Sequence, residues 1–105
     1  MVRWADPEPI AQAVRAHAES LHARRPVSRI YWYGSWVSGT PTPSSEVDLC
    51  VVVESDDRPS RERTPDYLPD RFPVGVDVVV FTEELDALAE RAPGWHRAIV
   101  EGREV

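Results

Sequence analysis

Several residue types that common reaction mechanisms require are scarce or absent. The 105 residues include twelve arginines but no lysine, and their one cysteine is Cys50. Without lysine, the protein cannot use Schiff-base chemistry or a phosphate loop that relies on a lysine charge. A single cysteine excludes an internal disulfide and a cysteine-based zinc site. We therefore interpret Cys50 as a small, buried apolar residue.

Long apolar runs and a positive charge balance are lacking as well. No apolar run approaches the roughly 18 residues of a membrane helix. Residues 1–9 lack the basic start and the apolar stretch of a signal peptide. The formal net charge of −6 argues against bulk binding of nucleic acid. Because 105 residues fit one domain and leave no room for a second, we expect a single cytoplasmic domain, residues 1–105.

The spacing of apolar residues predicts a first helix from Pro7 to about Arg24. Proline suits the first helical position, and Pro26 stops the helix. His17 and His22 are five residues apart and do not share a helical face, so we expect both on the surface. The apolar stripe of the helix comprises Ile10, Val14, Ala18 and Leu21.

Runs of β-branched and aromatic residues predict three strands. They span residues 28–33, 46–53 and 74–81. Residues 54–72 are rich in proline and charge, which predicts a surface loop with at most one helical turn near Tyr67. Two helices, ending near Arg91 and Gly102, complete the chain. The order predicts an α+β domain, in which a small mixed β-sheet with about three core strands is flanked by helices on one side.

Three carboxylates stand out on the predicted strands. Glu46 and Asp48 lie at i and i+2, so alternation points both to one face, close enough to share a cation. Asp77 lies inside the apolar run 74–80, where a buried carboxylate costs several kcal/mol unless it is paired or binds a metal. Oxygen ligands on two adjacent strands suit Mg²⁺. The pattern therefore predicts a magnesium site formed by Glu46, Asp48 and Asp77.

Each of these carboxylates also has a simpler interpretation. Glu46 could be a solvated residue at the end of a strand, as most glutamates are exposed. Asp77 could pair with an arginine such as Arg29 or Arg71.

The dipeptide Gly34-Ser35 ends the first strand where a turn or short helix begins. Backbone N–H groups and the serine hydroxyl can hold a phosphate there, and glycine allows close approach. Gly-Ser alone would more often indicate a turn. The order along the chain favours the phosphate interpretation: a strand, Gly-Ser, a short segment, paired carboxylates on a strand, and a lone carboxylate on a later strand.

Residues 34–49 resemble the signature of the minimal nucleotidyltransferases of the DNA polymerase β superfamily. That signature has Gly-Ser, a second glycine that stands here as Gly39, and Ser-Asp-hydrophobic-Asp at the start of the next strand. Residues 45–48 follow it without a gap, and Asp77 matches its third carboxylate. Residues 95–102 resemble the closing helix of the family. The resemblance covers nearly the whole chain and implies the nucleotidyltransferase fold.

The resemblance implies an enzyme that moves a nucleoside monophosphate, which we expect to be AMP from ATP, to an acceptor hydroxyl with release of pyrophosphate. Gly34 and Ser35 would bind the triphosphate, while Glu46 and Asp48 would hold Mg²⁺. Asp77 would complete a second metal site and help to deprotonate the acceptor. The absence of lysine fits this family, because phosphate binding then depends on metal, glycine backbone and serine.

Two residues depart from the family pattern. Glu46 stands where aspartate is usual, and Ser38 stands where arginine is frequent. One extra methylene moves the carboxylate, and Mg²⁺ requires near-ideal octahedral geometry. The alternative is therefore a catalytically decayed binding module with the same fold, which acts as an antitoxin by contact only.

Family members of this size resemble the antitoxin half of two-protein toxin–antitoxin pairs. This likeness implies a small helical partner of the HEPN type, with AMP transferred onto it, and it leaves a homodimer open. Four aromatic residues of the first strand and the following turn could contact such a partner or stack on a base. The simpler interpretation is that they pack on both faces of the strand. They are Tyr31, Trp32, Tyr33 and Trp36.

Overall fold

The chain forms helices where apolar residues recur every three or four positions, and strands where β-branched residues cluster. The computed structural model describes residues 7–42, 44–82 and 85–105. In chain order the elements are α1 (Pro7–Arg24), β1 (Val27–Tyr33), α2 (Ser35–Ser38), β2 (Val47–Val53), α3 (Ser60–Arg63), a 3₁₀ turn (Thr64–Tyr67), β3 (Val76–Phe81), α4 (Leu85–Arg91), α5 (Pro93–Val100) and β4 (Arg103–Glu104). None of the described helices is both long and apolar enough to cross a membrane.

The four strands form one mixed sheet in the order β3-β2-β1-β4. β1 runs antiparallel to β2 and to β4, whereas β2 and β3 are parallel. The predicted α+β class, the mixed sheet and the three core strands are confirmed. β4 was not predicted, because two residues carry no periodic signal and pair only through the backbone of Tyr31 and Trp32.

Helix α1 covers one face of the sheet. Its predicted apolar stripe is buried, and Val14 and Leu21 are fully inaccessible. The stripe packs on alternate residues of the strands, among them Leu49 and Val51, together with Trp36 of α2. This layer is the larger of the two apolar clusters and holds α2 against the end of β1.

Helices α4 and α5 cover the opposite face, so the expectation that helices lie on one side only is wrong. Leu88 of α4 and Ile99 of α5 pack on the other set of alternate strand residues, including Cys50 and Val52. The physical reason is that β2 is apolar at both alternating positions, so both of its faces need cover. Cys50 is fully buried, as predicted.

The four aromatic residues of β1 and α2 pack on both faces, as the simpler interpretation predicts. Each is at most 8% exposed. Tyr31 and Tyr33 join the layer under α4 and α5, whereas Trp32 and Trp36 join the layer under α1. These side chains are therefore core residues and offer little surface to a partner or a base.

The segment between β2 and β3 is more ordered than the predicted loop. It contains α3 followed directly by the 3₁₀ turn, where at most one helical turn was expected. Its side chains contact the outer edge of β3: Arg63 Nη1 donates to the Val80 carbonyl oxygen at 3.2 Å, and Thr64 Oγ1 donates to that of Val78 at 3.1 Å. Composition did not predict this order because it depends on the distant strand β3.

One of the two histidines of α1 is buried, contrary to expectation. His17 is 7% exposed, and its Nε2–H donates to the Tyr67 carbonyl oxygen at 2.7 Å. Burial lowers the pKa of His17, and this effect exceeds the opposing influence of the hydrogen bond to Tyr67. His22 is exposed, as predicted. The prediction failed for His17 because the residues that cover it follow about fifty positions later in the chain.

Candidate functional site

Two of the predicted carboxylates lie directly opposite each other in the sheet. Asp48 of β2 pairs in register with Asp77 of β3, and it also pairs with Tyr33 of β1. Paired residues on neighbouring strands project to the same face. Alternation places Asp48 on the same face as Cys50, which is the face under α4 and α5. The sheet therefore brings two carboxylates together where β2 and β3 begin.

Gly34 lies against the carboxylate of Asp48. A Cβ on Gly34 would overlap Oδ2 of Asp48, and the glycine has φ +91° and ψ −160°, a conformation that other residues rarely adopt. Both space and backbone therefore require glycine at this position. The predicted phosphate-binding dipeptide and the predicted metal-binding carboxylate are thus in direct contact.

The second glycine of the signature ends helix α2. Gly39 has φ +86°, and its N–H donates to the Ser35 carbonyl oxygen at 3.1 Å, which is a left-handed helix cap. Trp36 Nε1 donates to the Ser45 carbonyl oxygen at 3.3 Å and ties α2 to the segment that leads into β2. The spacing of the signature therefore has a structural cause, because a single helical turn must close before the chain returns to the sheet.

A surface cavity of about 490 Å³ opens beside this turn. Its lining includes Gly34, Ser35 and Ser38, together with Ala98 of α5 and Glu101 and Gly102, which follow that helix. Both predicted phosphate-binding residues, Gly34 and Ser35, therefore face open space that a ligand can enter.

The third carboxylate, Glu46, lies just before β2 and is exposed. Its Cγ would be 3.0 Å from a Cβ on Gly75, and the N–H of the next residue, Val47, donates to the Gly75 carbonyl oxygen at 2.8 Å. The longer glutamate side chain thus rests on a residue without a side chain at the start of the neighbouring strand. Glu46 stands at the same end of the sheet as Asp48 and Asp77.

The carboxylates influence one another electrostatically. Burial raises the pKa of Asp48, and the negative charges of Asp77 and Glu46 raise it further. Burial likewise raises the pKa of Tyr33 to about 12, with contributions from Asp48 and Asp77. The expectation that Asp77 is buried is wrong: it is exposed, because it lies near the start of the edge strand β3. Within the described part of the chain, Asp77 makes no ion pair, and Arg29 contacts Tyr31 and Glu104. The arrangement concentrates negative charge that a cation would relieve.

The donor set suits Mg²⁺ with some of its ligands supplied by a substrate. Among residues 7–42, 44–82 and 85–105, no three acidic, histidine or cysteine side chains are placed to hold one metal ion together. Mg²⁺ in phosphate-transfer sites is usually held by one or two carboxylates together with substrate phosphates and water. Asp48 and Asp77 offer those two carboxylates, so they fit an Mg²⁺ ion whose other ligands are phosphates and water.

A second cleft, of about 710 Å³, lies away from the carboxylates. It runs between α1 and the segment after the 3₁₀ turn, and α1 packs on the opposite face of the sheet from Asp48. Its charged lining has both signs and comprises Arg24, Arg25, Arg71, Asp66 and Asp70. This cleft is larger than the cavity beside Gly34, but its position separates it from the carboxylate site.

Sequence reasoning did not select Trp95 as a site residue. Its Nε1–H donates to the hydroxyl of Tyr33 at 3.2 Å, and Tyr33 is the β1 partner of Asp48. A signal was present, because Trp95 precedes the buried Ile99 by one helical turn and so lies on the sheet-facing side of α5. That spacing indicates a contact with the sheet but does not indicate which strand residue is contacted.

Comparison with known proteins gives one family. A family model described as a nucleotidyltransferase domain matches residues 14–98. The matched segment contains all five predicted site residues, which are Gly34, Ser35, Glu46, Asp48 and Asp77. A search of the curated proteins found no match.

Proposed function

Because the chain belongs to the nucleotidyltransferase domain family, we propose that it transfers a nucleoside monophosphate from a nucleoside triphosphate to an acceptor hydroxyl. The observation that carries this proposal is the placement of Asp48 directly opposite Asp77, with Gly34 packed against the Asp48 carboxylate. Gly34 also lines an open cavity, and this arrangement suits a triphosphate that arrives with its divalent cation.

The proposal gives each candidate site residue a role that its placement supports. Gly34 lets a phosphate approach the backbone, and Ser35 donates from its hydroxyl beside the cavity. Asp48 and Asp77, with Glu46 as a third candidate, would hold Mg²⁺, which when bound neutralises charge on the phosphates. Asp77 is exposed, so an acceptor can reach its carboxylate.

The chemical step is a substitution at the α-phosphorus. The acceptor oxygen forms a bond to this phosphorus while the bond to the oxygen that bridges to the β-phosphorus breaks. Pyrophosphate leaves with the bonding electrons, and the acceptor proton moves to the carboxylate of Asp77. In the simplest form of the proposal, AMP is transferred from ATP.

The acceptor that we propose is a hydroxyl of a partner protein. The resemblance to antitoxins of toxin–antitoxin pairs supports a small helical partner of the HEPN type. The partner would contact other side chains than the four buried aromatic residues, which are Tyr31, Trp32, Tyr33 and Trp36.

Transfer of label from α-labelled ATP tests the enzymatic proposal. The protein is incubated with Mg²⁺ and the protein encoded next to it, and label on the partner is measured. We expect Asp48→Asn to lower transfer at least about 100-fold, because it removes a charged metal ligand. Asp57→Asn is the matched control, since Asp57 is an exposed aspartate on the loop after β2, and it should leave transfer unchanged. Equal transfer by the wild type and Asp48→Asn would contradict the proposal.

A second candidate function is neutralisation of a partner by contact alone. The observation that favours it is the position of Glu46 against Gly75, together with the lack of a three-donor group among the described residues. In this case the wild type transfers no label, and Glu46→Asp restores transfer by shortening the side chain. If both forms are inactive while the partner is still bound, the enzymatic proposal is wrong and the contact function stands.

A further inference from the structure

Trp95 stands out among the described tryptophans because it is exposed. Its exposed fraction is 39%, whereas Trp32 and Trp36 are 3% and 7% exposed. It lies near the start of α5, on the face of the sheet that carries Asp48. Single exposed apolar side chains are common on protein surfaces, so the contacts and the position of Trp95 matter more than its exposure alone.

Two contacts hold the indole of Trp95 in one orientation. Its Nε1–H donates to the hydroxyl of Tyr33 at 3.2 Å. The ring of Phe81 meets it edge to face, with centroids 5.5 Å apart and planes at 68°. Both partners belong to the sheet, at the ends of β1 and β3. An indole that is already held loses little conformational freedom when a ligand binds to it.

The hydrogen-bond partner of the indole, Tyr33, lies on the strand next to the carboxylates. Tyr33 pairs with Asp48 in the β1–β2 ladder, and Asp48 pairs with Asp77 in the β2–β3 ladder. All three side chains project to the face under α4 and α5. The indole therefore lies on the face that carries the carboxylate pair, and it contacts the β1 residue that pairs with Asp48.

We propose that Trp95 is the surface on which the nucleobase of the substrate stacks, and that Tyr33 and Phe81 hold the indole for this role. This inference rests on the proposed function, because a nucleoside triphosphate with its phosphates at Asp48 carries a planar base next to the site. Stacking of a base on an aromatic side chain is favourable for every base, since each has a π-face. The ligand class is therefore a nucleoside triphosphate, for which ATP is the probe.

The experiment compares two ligands that differ by the nucleoside. Calorimetry in the presence of Mg²⁺ measures binding of ATP and of inorganic tripolyphosphate to the wild type and to Trp95→Ala and Trp95→Phe. We expect Trp95→Ala to weaken ATP binding about tenfold and to leave tripolyphosphate binding unchanged. Trp95→Phe should retain most of the ATP affinity because it retains an aromatic face. Leu68→Ala is the control, since Leu68 is equally exposed at 39% but lines the cleft on the α1 side.

The outcomes separate this inference from the proposed function. Equal ATP affinity in the wild type and Trp95→Ala would overturn the stacking role and leave the proposed function intact. Normal ATP binding by Trp95→Ala with weakened binding of the partner protein would likewise overturn it, because Trp95 would then be a protein contact. A wild type that binds neither ATP nor tripolyphosphate would overturn both proposals. Unchanged tripolyphosphate binding by Trp95→Ala shows that the variant is folded.

Discussion

Because Gly34 has no side chain, the carboxylate of Asp48 can lie against its backbone. The position combines a positive φ of 91° with direct contact between its Cα and the carboxylate of Asp48. Gly39 has a similar φ, but a Cβ there would meet no atom within 4 Å. The two glycines of the signature therefore act differently: Gly39 permits the backbone conformation that ends α2, whereas Gly34 permits its own backbone conformation and also leaves room for the carboxylate of Asp48.

We expect Gly34→Ala to destabilise the fold by about 1–3 kcal/mol, because alanine in this conformation is strained. It should also displace Asp48 and weaken binding of Mg²⁺-ATP. Urea unfolding measures the first effect and calorimetry the second. Gly94→Ala is the matched control: Gly94 lies in α5, and a Cβ there meets no atom within 4 Å. That variant should be neutral or up to about 1 kcal/mol more stable. Similar losses in both variants would contradict this account.

At the scale of elements, a buried histidine joins α1 to the 3₁₀ turn. His17 donates to the Tyr67 carbonyl oxygen, and the ring of Tyr67 lies 5.1 Å from the guanidinium carbon of Arg25. The 3₁₀ turn is thereby attached to α1 on one side and, through Thr64, to β3 on the other. This double attachment explains why a segment rich in proline and charge is ordered.

The buried His17 predicts a pH dependence of stability. Because burial lowers the pKa of His17 below its ordinary value of 6.5, the folded state favours the neutral imidazole. This contribution is fully present above pH 6.5 and is lost as the pH falls towards the lower pKa of the folded state. We expect the free energy of unfolding to decrease between pH 7.5 and pH 5 in urea titrations.

The variants His17→Gln and His22→Gln identify the histidine responsible. Glutamine at position 17 can still donate to the Tyr67 carbonyl oxygen but does not titrate, so the decrease in stability at low pH should become smaller. His22 is exposed, so His22→Gln should keep the pH dependence of the wild type. A smaller decrease in His22→Gln than in His17→Gln would contradict the assignment.

At the scale of the whole molecule, the elements with a strong local pattern were predictable and the contacts between distant segments were not. The stripe of α1 and the apolar run of β2 follow from periodicity alone. The burial of His17 depends on Tyr67, fifty residues away, and the site contact of Trp95 depends on Tyr33, sixty-two residues away. No local pattern encodes such pairs.

In the candidate site, too, the residues could be predicted from the sequence, but their contacts could not. Glu46, Asp48 and Asp77 were singled out from the chain order, and the sheet places Asp48 and Asp77 in register. Their roles remain predictions, since they depend on a bound triphosphate. The requirement for glycine at position 34 could be expected from the signature, but the atom that occupies the space, Oδ2 of Asp48, could not.

The bonds from Arg63 and Thr64 to β3 have a consequence for how the sheet can grow. The outward carbonyl oxygens of Val78 and Val80 already accept side-chain donors, so an incoming strand would find these two acceptors occupied. The opposite edge consists of β4, which is only two residues long. Strand addition, the usual route by which exposed sheets recruit other chains or aggregate, is therefore disfavoured at the β3 edge and confined to a short stretch at the other. The partner proposed above would therefore be recognised mainly through side chains on the helices and loops.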